Sequence, residues 1–245
     1  MEFKNPPPEK ITAKANKHNA FTLSEVLITL VIIGVVAAIT VPTLMHQYRW
    51  KQYRTGLMKA RSTLDQGVLR YVFENGENPE CGYTSIATSP HTTADCRKLY
   101  NSFKTSLNVI KTCTSNAFSQ GCIPEYAGID TIHKANNPAA SDEDAIQATN
   151  GCHGFLKEHI KSGAAMVLAD GMIIFPYEYF NAPIMAVDVN GEKGPNKWGY
   201  DVHTFIMRIS ETDSQPHFDA GYFGCDLVEK GGIRSYTLLY GKDYV

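Results

Sequence analysis

The hydrophobic pattern changes character along the first third of the chain. From Val26 to Met45 no residue carries a charge. A run of that length at 1.5 Å per helical residue matches the roughly 30 Å hydrocarbon core of a bilayer. Beyond Met45 the pattern becomes amphipathic: Tyr53, Leu57, Ala60, Leu64, Val68 and Tyr71 recur at helical spacing, with Arg54, Lys59, Arg61 and Asp65 between them. Together the two stretches predict one helix from Phe21 to Asn75, about 55 residues and roughly 80 Å long, stopped at Gly76. Pro42 lacks an N–H and crowds the preceding turn, which predicts a kink in the apolar half, and Gly34, Gly56 and Gly67 lower helix propensity. The stripe from Tyr53 to Tyr71 is expected to seat a folded domain.

Residues 77–162 are turn-rich, around Asn78-Pro79, Ser89-Pro90 and Asn136-Asn137-Pro138. Leu99, Phe103, Leu107 and Ile110 fall at helical spacing after Asp95, which predicts a helix from about Ala94 to Ile110. Asp142-Glu143-Asp144 predicts the opening of a short helix or a solvated face. Strand signals come late: Ala164 to Leu168, Met172 to Tyr177 and Ile184 to Val189 are short apolar runs, and Val202 to Ile209 and Ser235 to Tyr240 are further candidates. Asp170-Gly171 predicts a hairpin with a type I′ turn. A long helix followed by a small antiparallel sheet is an α+β pattern.

The segment Ala20-Phe21-Thr22-Leu23-Ser24-Glu25 sets one carboxylate at the mouth of the apolar run. A lone acid at the centre of a bilayer costs about 2.5 kcal/mol or more, so Glu25 needs a partner or a place at the interface. Thr22 and Glu25 also fit the Thr-x-x-Glu capping box, with an acid at the positive end of a helix. A secretory signal puts its small-residue cleavage site after the apolar core, whereas Ala20 precedes it, so the helix would remain on the mature chain.

These residues, with Gly34 and Pro42 in the apolar helix, resemble the N-terminal segment of type IV prepilins and of the pseudopilins of type II secretion systems. The resemblance covers about the first fifth of the chain. It implies a pilin-like fold, a leader of residues 1–20, a prepilin peptidase that cuts between Ala20 and Phe21 and methylates the new terminus, and assembly with other pilin or pseudopilin subunits. In assembly Glu25 would offset the Phe21 amine of a neighbour. The family usually has Gly before the cut, and Ala20 departs from it. The implied organisation is the leader, a helix over 21–75 that spans the inner membrane at about 26–45, and an exported domain over 76–245.

Charge is distributed unevenly behind a net −2. Residues 46–74 hold six Lys/Arg against Asp65 and Glu74, whereas 75–245 hold 13 basic and 20 acidic residues. An acidic outer domain gives no support to nucleic-acid binding. The basic stretch after the anchor is suited to anionic lipid or an acidic neighbour. Cys81, Cys96, Cys113, Cys122, Cys152 and Cys225 all lie beyond the anchor, an even set consistent with disulfides outside the cytoplasm. The expected pairs are Cys113 with Cys122, then Cys81 with Cys96 and Cys152 with Cys225. No C-x-x-C pair points to zinc.

The span from Asp188 to Asp201 gathers oxygen-bearing side chains and glycines. Asp188, Asn190, Asn196 and Asp201 with backbone carbonyls are a candidate calcium set, and the span resembles inter-strand loops of pseudopilin-like proteins, some of which hold that ion. It is not an EF-hand loop, and turn chemistry at Asn190-Gly191 and Pro195-Asn196 is the competing account. No cofactor is expected otherwise. No G-x-S-x-G, Gly-rich phosphate loop or H-E-x-x-H occurs, so an enzyme is not expected. The resemblance implies a structural filament subunit, the alternative being an anchored, adhesin-like binding module that never polymerises.

Overall fold

The computed structural model describes residues 22–82, 96–147, 152–178, 182–210, 212, 214–221 and 225–241. Leader residues 1–20, Phe21 and the Ser89-Pro90 turn lie outside them. Two compact units divide at Gln47/Tyr48. The described part of the first is helical and exposes its apolar side chains, including Leu27, Val31, Val35 and Ile39.

Helix α1 spans Leu23–Asn75 with Pro42 inside it, and Gly76 ends it at φ +74°. In the second unit its face of Leu57, Ala60, Leu64, Val68 and Tyr71 is buried, the stripe that the sequence marks. Two glycines on that face are required by close approach. A Cβ at Gly67 would lie 2.9 Å from Phe103 Cε1, and one at Gly56 2.7 Å from Val189 Cγ2.

Helix α2 (Arg97–Ser106) is shorter than the sequence predicts. Leu107 is extended (φ −112°, ψ 158°), and Ile110, expected at a helix end, belongs to strand β1 (Val109–Cys113). The β-branched run Val109, Ile110 and Thr112 favours the strand once the helix has ended. Helix α3 (Ile129–Asn136) and helix α5 (Lys157–Ser162) interrupt a region that reads as loop. Between them α4 (Asp142–Gln147) begins on the acidic triplet, where Ser141 and Asp144 exchange reciprocal cap bonds.

Strands β2 (Ala165–Leu168), β3 (Ile173–Pro176), β4 (Ile184–Asp188), β5 (Val202–Ile209) and β6 (Pro216–Ala220) follow. The six strands form an antiparallel meander in sequence order. The β2–β3 turn differs from the expected type I′. Gly171 N donates to Leu168 O, Leu168 N donates to Met172 O, and only Gly171 has positive φ (+90°). The result is a three-residue loop with a glycine bulge. Lys59 of α1 holds its tip through an ion pair to Asp170 at 2.6 Å.

Strands β2 to β5 read as apolar runs because both faces of the sheet are covered. Met166, Ile174, Met185, Val187, Phe205 and Met207 face α1 and α2. Ile173, Phe175, Ala186, Val202 and Ile206 face a second layer that contains Tyr126, Phe155 and Trp198. Disulfides join Cys81 to Cys96, Cys113 to Cys122 and Cys152 to Cys225, with Cα–Cα distances of 5.1, 6.2 and 5.5 Å. Ser235–Tyr240, a candidate strand in the sequence, is helix α6. Its stop is Gly241, left-handed at φ +70°, a helix-ending signal that outweighs the β propensity of Tyr236 and Thr237.

Candidate functional site

The loop between β4 and β5 brings Asp188, Asn190, Asn196 and Asp201 together. Both carboxylates are fully buried. Asp188 Oδ1 accepts from the backbone N–H groups of Asn190 (3.0 Å) and Gly191 (2.7 Å), and its Oδ2 accepts from the Tyr126 hydroxyl at 2.8 Å. Asp201 accepts from Asn196 N (2.9 Å) and Lys197 N (2.8 Å). The loop is thus built by Asx-type turn chemistry. Burial first, and the Asp201 charge second, push Asp188 up to about 7; burial also raises Asp201. Asn190 Oδ1 and Asn196 Oδ1 are buried without a hydrogen-bond partner among the described residues. Among the described residues no group of three or more His, Cys, Asp or Glu side chains converges on a common point for a metal.

Sequence reading missed Tyr126, which meets Asp188 across 62 residues, and Glu229, which accepts the Trp198 N–H at 3.1 Å across 31. No local pattern marks either contact. His203, Ser235 and Asp226 also meet. His203 Nε2 lies 2.9 Å from Tyr200 O, so it carries the proton, and Nδ1 lies 3.1 Å from Ser235 Oγ. Asp226 accepts the Ser235 backbone N–H rather than orienting the imidazole. That order, wholly buried at His203 and Ser235, differs from a nucleophile–base–carboxylate relay. Burial lowers His203 to about 4. Cys152 is disulfide-bonded, so its sulfur is no thiol nucleophile.

At the chain's other end Thr22 caps α1. The Thr22 N–H and hydroxyl both donate to Glu25 Oε2, at 2.8 and 2.9 Å, while Glu25 N donates to Thr22 Oγ1 at 3.2 Å. The carboxylate therefore closes a reciprocal capping box at the threshold of the apolar run. The helix that follows is long and apolar enough to cross a membrane. Ala20 and Phe21 lie outside the described residues.

Residues 15–41 match the prokaryotic N-terminal methylation motif. The chain carries the signature of type IV prepilins and pseudopilins. No curated protein and no solved structure matches it. The prepilin signature, the apolar helix and the six-stranded antiparallel sheet make this an α+β, pilin-like chain. The motif supports a processed, membrane-anchored subunit and suggests a structural protein rather than an enzyme.

Proposed function

We propose that the chain is a structural subunit of a type IV pilus-like or type II secretion pseudopilus filament. The observation that carries this reading is the methylation motif running directly into an apolar helix with a single carboxylate, Glu25, at its mouth. Prepilin peptidase cuts between Ala20 and Phe21. The subunit is held in the inner membrane by residues 26–45, with the disulfide-bonded domain outside the cytoplasm, until it joins other pilins. Assembly packs apolar helix on apolar helix. A Cβ at Gly34 would meet no side chain or other segment of the described residues within 4 Å, which leaves a notch for a second backbone. Glu25 is drawn to the Phe21 amine of the adjoining subunit, which neutralises both charges in apolar surroundings.

The β4–β5 loop is proposed as a calcium site. Two buried carboxylates raise each other's cost of ionisation, and the unpartnered Asn190 and Asn196 carbonyl oxygens add hard donors of the type calcium takes. A bound cation there would offset the carboxylate charge and hold the loop closed on Tyr126.

Two measurements test the subunit reading. N-terminal analysis of membrane-extracted protein should place the mature start at a methylated Phe21; a chain beginning at Met1 in cells that hold the peptidase removes it. Cysteines introduced along the helix should cross-link between subunits in intact cells as ladders beyond dimer. Their absence, with processing intact, leaves an anchored module that does not polymerise.

A further inference from the structure

On the folded unit a groove of about 630 Å³ opens between the first turns after Gln47 and the β4–β5 loop, lined by Tyr48, Lys51, Tyr53, Gly56, Val189 and Lys193. Lys51 and Lys193 are exposed at it, and among the described residues no ion pair engages either. Its corner is aromatic: Trp50 stacks on Tyr200 at 5.3 Å and meets the edge of Tyr53 at 5.6 Å. Glu192, the acid next in sequence to Lys193, does not line it.

The chain itself limits how far the first residues of the groove can be from the apolar run. Tyr48 follows Met45, the end of the apolar run, by three residues, so it can lie no more than roughly 11 Å beyond it. A bilayer's headgroup layer is about 5–8 Å deep on each side. Tyr48 and Trp50 are thus in reach of the interface, where amphipathic rings concentrate, and Lys51 is in reach of its phosphates. Val189 and Lys193 line the same groove, and a Cβ at Gly56 would stand 2.7 Å from Val189 Cγ2. Two exposed ammonium groups over a floor of tyrosine and valine match a phosphate with its glycerol and first methylenes.

We propose that this groove binds the headgroup of an anionic phospholipid in the leaflet next to the folded domain. The groove would set the domain down on the membrane surface while the subunit waits for assembly, independently of whether the filament is a pilus or a pseudopilus.

The test uses the full chain in phosphatidylcholine nanodiscs that contain 20 mol% brominated phosphatidylglycerol, or brominated phosphatidylcholine at the same fraction, the mole fraction set at roughly the level that makes a leaflet appreciably anionic. Trp198 is fully buried, so the lipid-quenchable fluorescence belongs to Trp50, and Trp50→Phe provides the background. Quenching by the anionic lipid should exceed that by the neutral one, reflecting a local enrichment of about fivefold for each lysine. Lys51→Glu with Lys193→Glu should erase the difference, and Lys51→Gln with Lys193→Gln should reduce it; both pairs are exposed and should leave melting unchanged. Equal quenching by the two lipids overturns the proposal. So does unequal quenching that survives charge reversal, or a chain that does not remain with the disc. The cross-linking ladder is read separately, so either result can fail without the other.

Discussion

Asp65 Oδ1 accepts the backbone N–H of Phe218 at 2.6 Å, and Arg61, one turn earlier on α1, donates Nε to the carbonyl of the same residue at 2.8 Å. Two side chains of the helix thereby do for edge strand β6 what a further strand would do. An open edge would present its backbone groups to other chains, and here one helical turn closes it. Arg61 also reaches Asp219 at 3.4 Å, and Asp219 pairs with Arg208 of β5 at 3.2 Å, so the closure is tied into the sheet.

Asp65→Ala should therefore leave the Phe218 amide without its partner. The expected loss is about 1–3 kcal/mol, which for a unit of this size lowers melting by several degrees. Asp65→Asn keeps a carbonyl oxygen in place and should lose less. Native-state hydrogen exchange at Phe218 should accelerate in the alanine variant; exchange as slow as in the wild type would show that the edge is closed by something else.

How far the sequence reaches is clear from particular elements. Helix α1 and strands β2 to β5 are legible because their signals are local: an unbroken apolar run, a helical stripe, and apolar segments long enough for strands covered on both faces. The ends of α2 and the helical state of Ser235–Tyr240 are not, since Ile110 continues the helical spacing while belonging to β1, and six residues carry too little periodicity to choose between states. The capping pair Thr22 and Glu25 is visible as a motif. The partner of Asp188 is invisible, because Tyr126 reaches it only after the layer carrying α3 to α5 has packed on the sheet.

Gly191 is where the candidate loop meets the β2–β3 hairpin. Its φ is +62°, and a Cβ there would stand 2.2 Å from the carbonyl oxygen of Gly171. Gly191→Ala must push apart two backbone segments rather than a flexible side chain. We expect a loss of about 1–3 kcal/mol, larger than that from Gly171→Ala, whose Cβ would meet nothing within 4 Å and which bears only the strain of its positive φ. Denaturant midpoints of the two variants check the order, and an equal loss would assign the cost to φ alone.

The buried acid Asp188 and the buried base His203 make opposite contributions to stability against pH. Asp188 titrates near 7 when folded and about 3.9 when unfolded, so its contribution is fully present below the lower value and is lost as pH rises through about 7. His203, lowered to about 4 by burial, resists the proton that the unfolded chain takes up near 6.5, so its contribution is lost as pH falls between those values. With a chelator present, Asp188→Asn should melt above the wild type at pH 8, and the gap should close towards pH 4. The slope that remains in that variant below about pH 6.5 includes the His203 contribution together with those of Asp201, Asp226 and Glu229, which burial raises. Calcium at pH 8 should raise the melting temperature of the wild type and not that of Asp188→Asn; an unshifted wild type would leave the loop to its turn chemistry alone.

Glu25 holds two roles that alanine cannot separate, since Glu25→Ala removes both the box with Thr22 and the charge. Glu25→Gln separates them. Its side-chain oxygen can still accept from the Thr22 N–H and hydroxyl, which now approach Oε2 at 2.8 and 2.9 Å, so the start of α1 stays capped. The charge, which cancels a neighbour's Phe21 amine in the proposed assembly, is gone. A helix cap is worth about 0.5–2 kcal/mol, too little to keep an apolar run of this length out of a membrane. Both variants should therefore be inserted and cut, and both should assemble poorly, with loss of the cross-linked ladder and accumulation of monomer in the membrane fraction. Normal ladders from Glu25→Gln with none from Glu25→Ala would assign the residue to capping and remove the charge pair from the assembly mechanism.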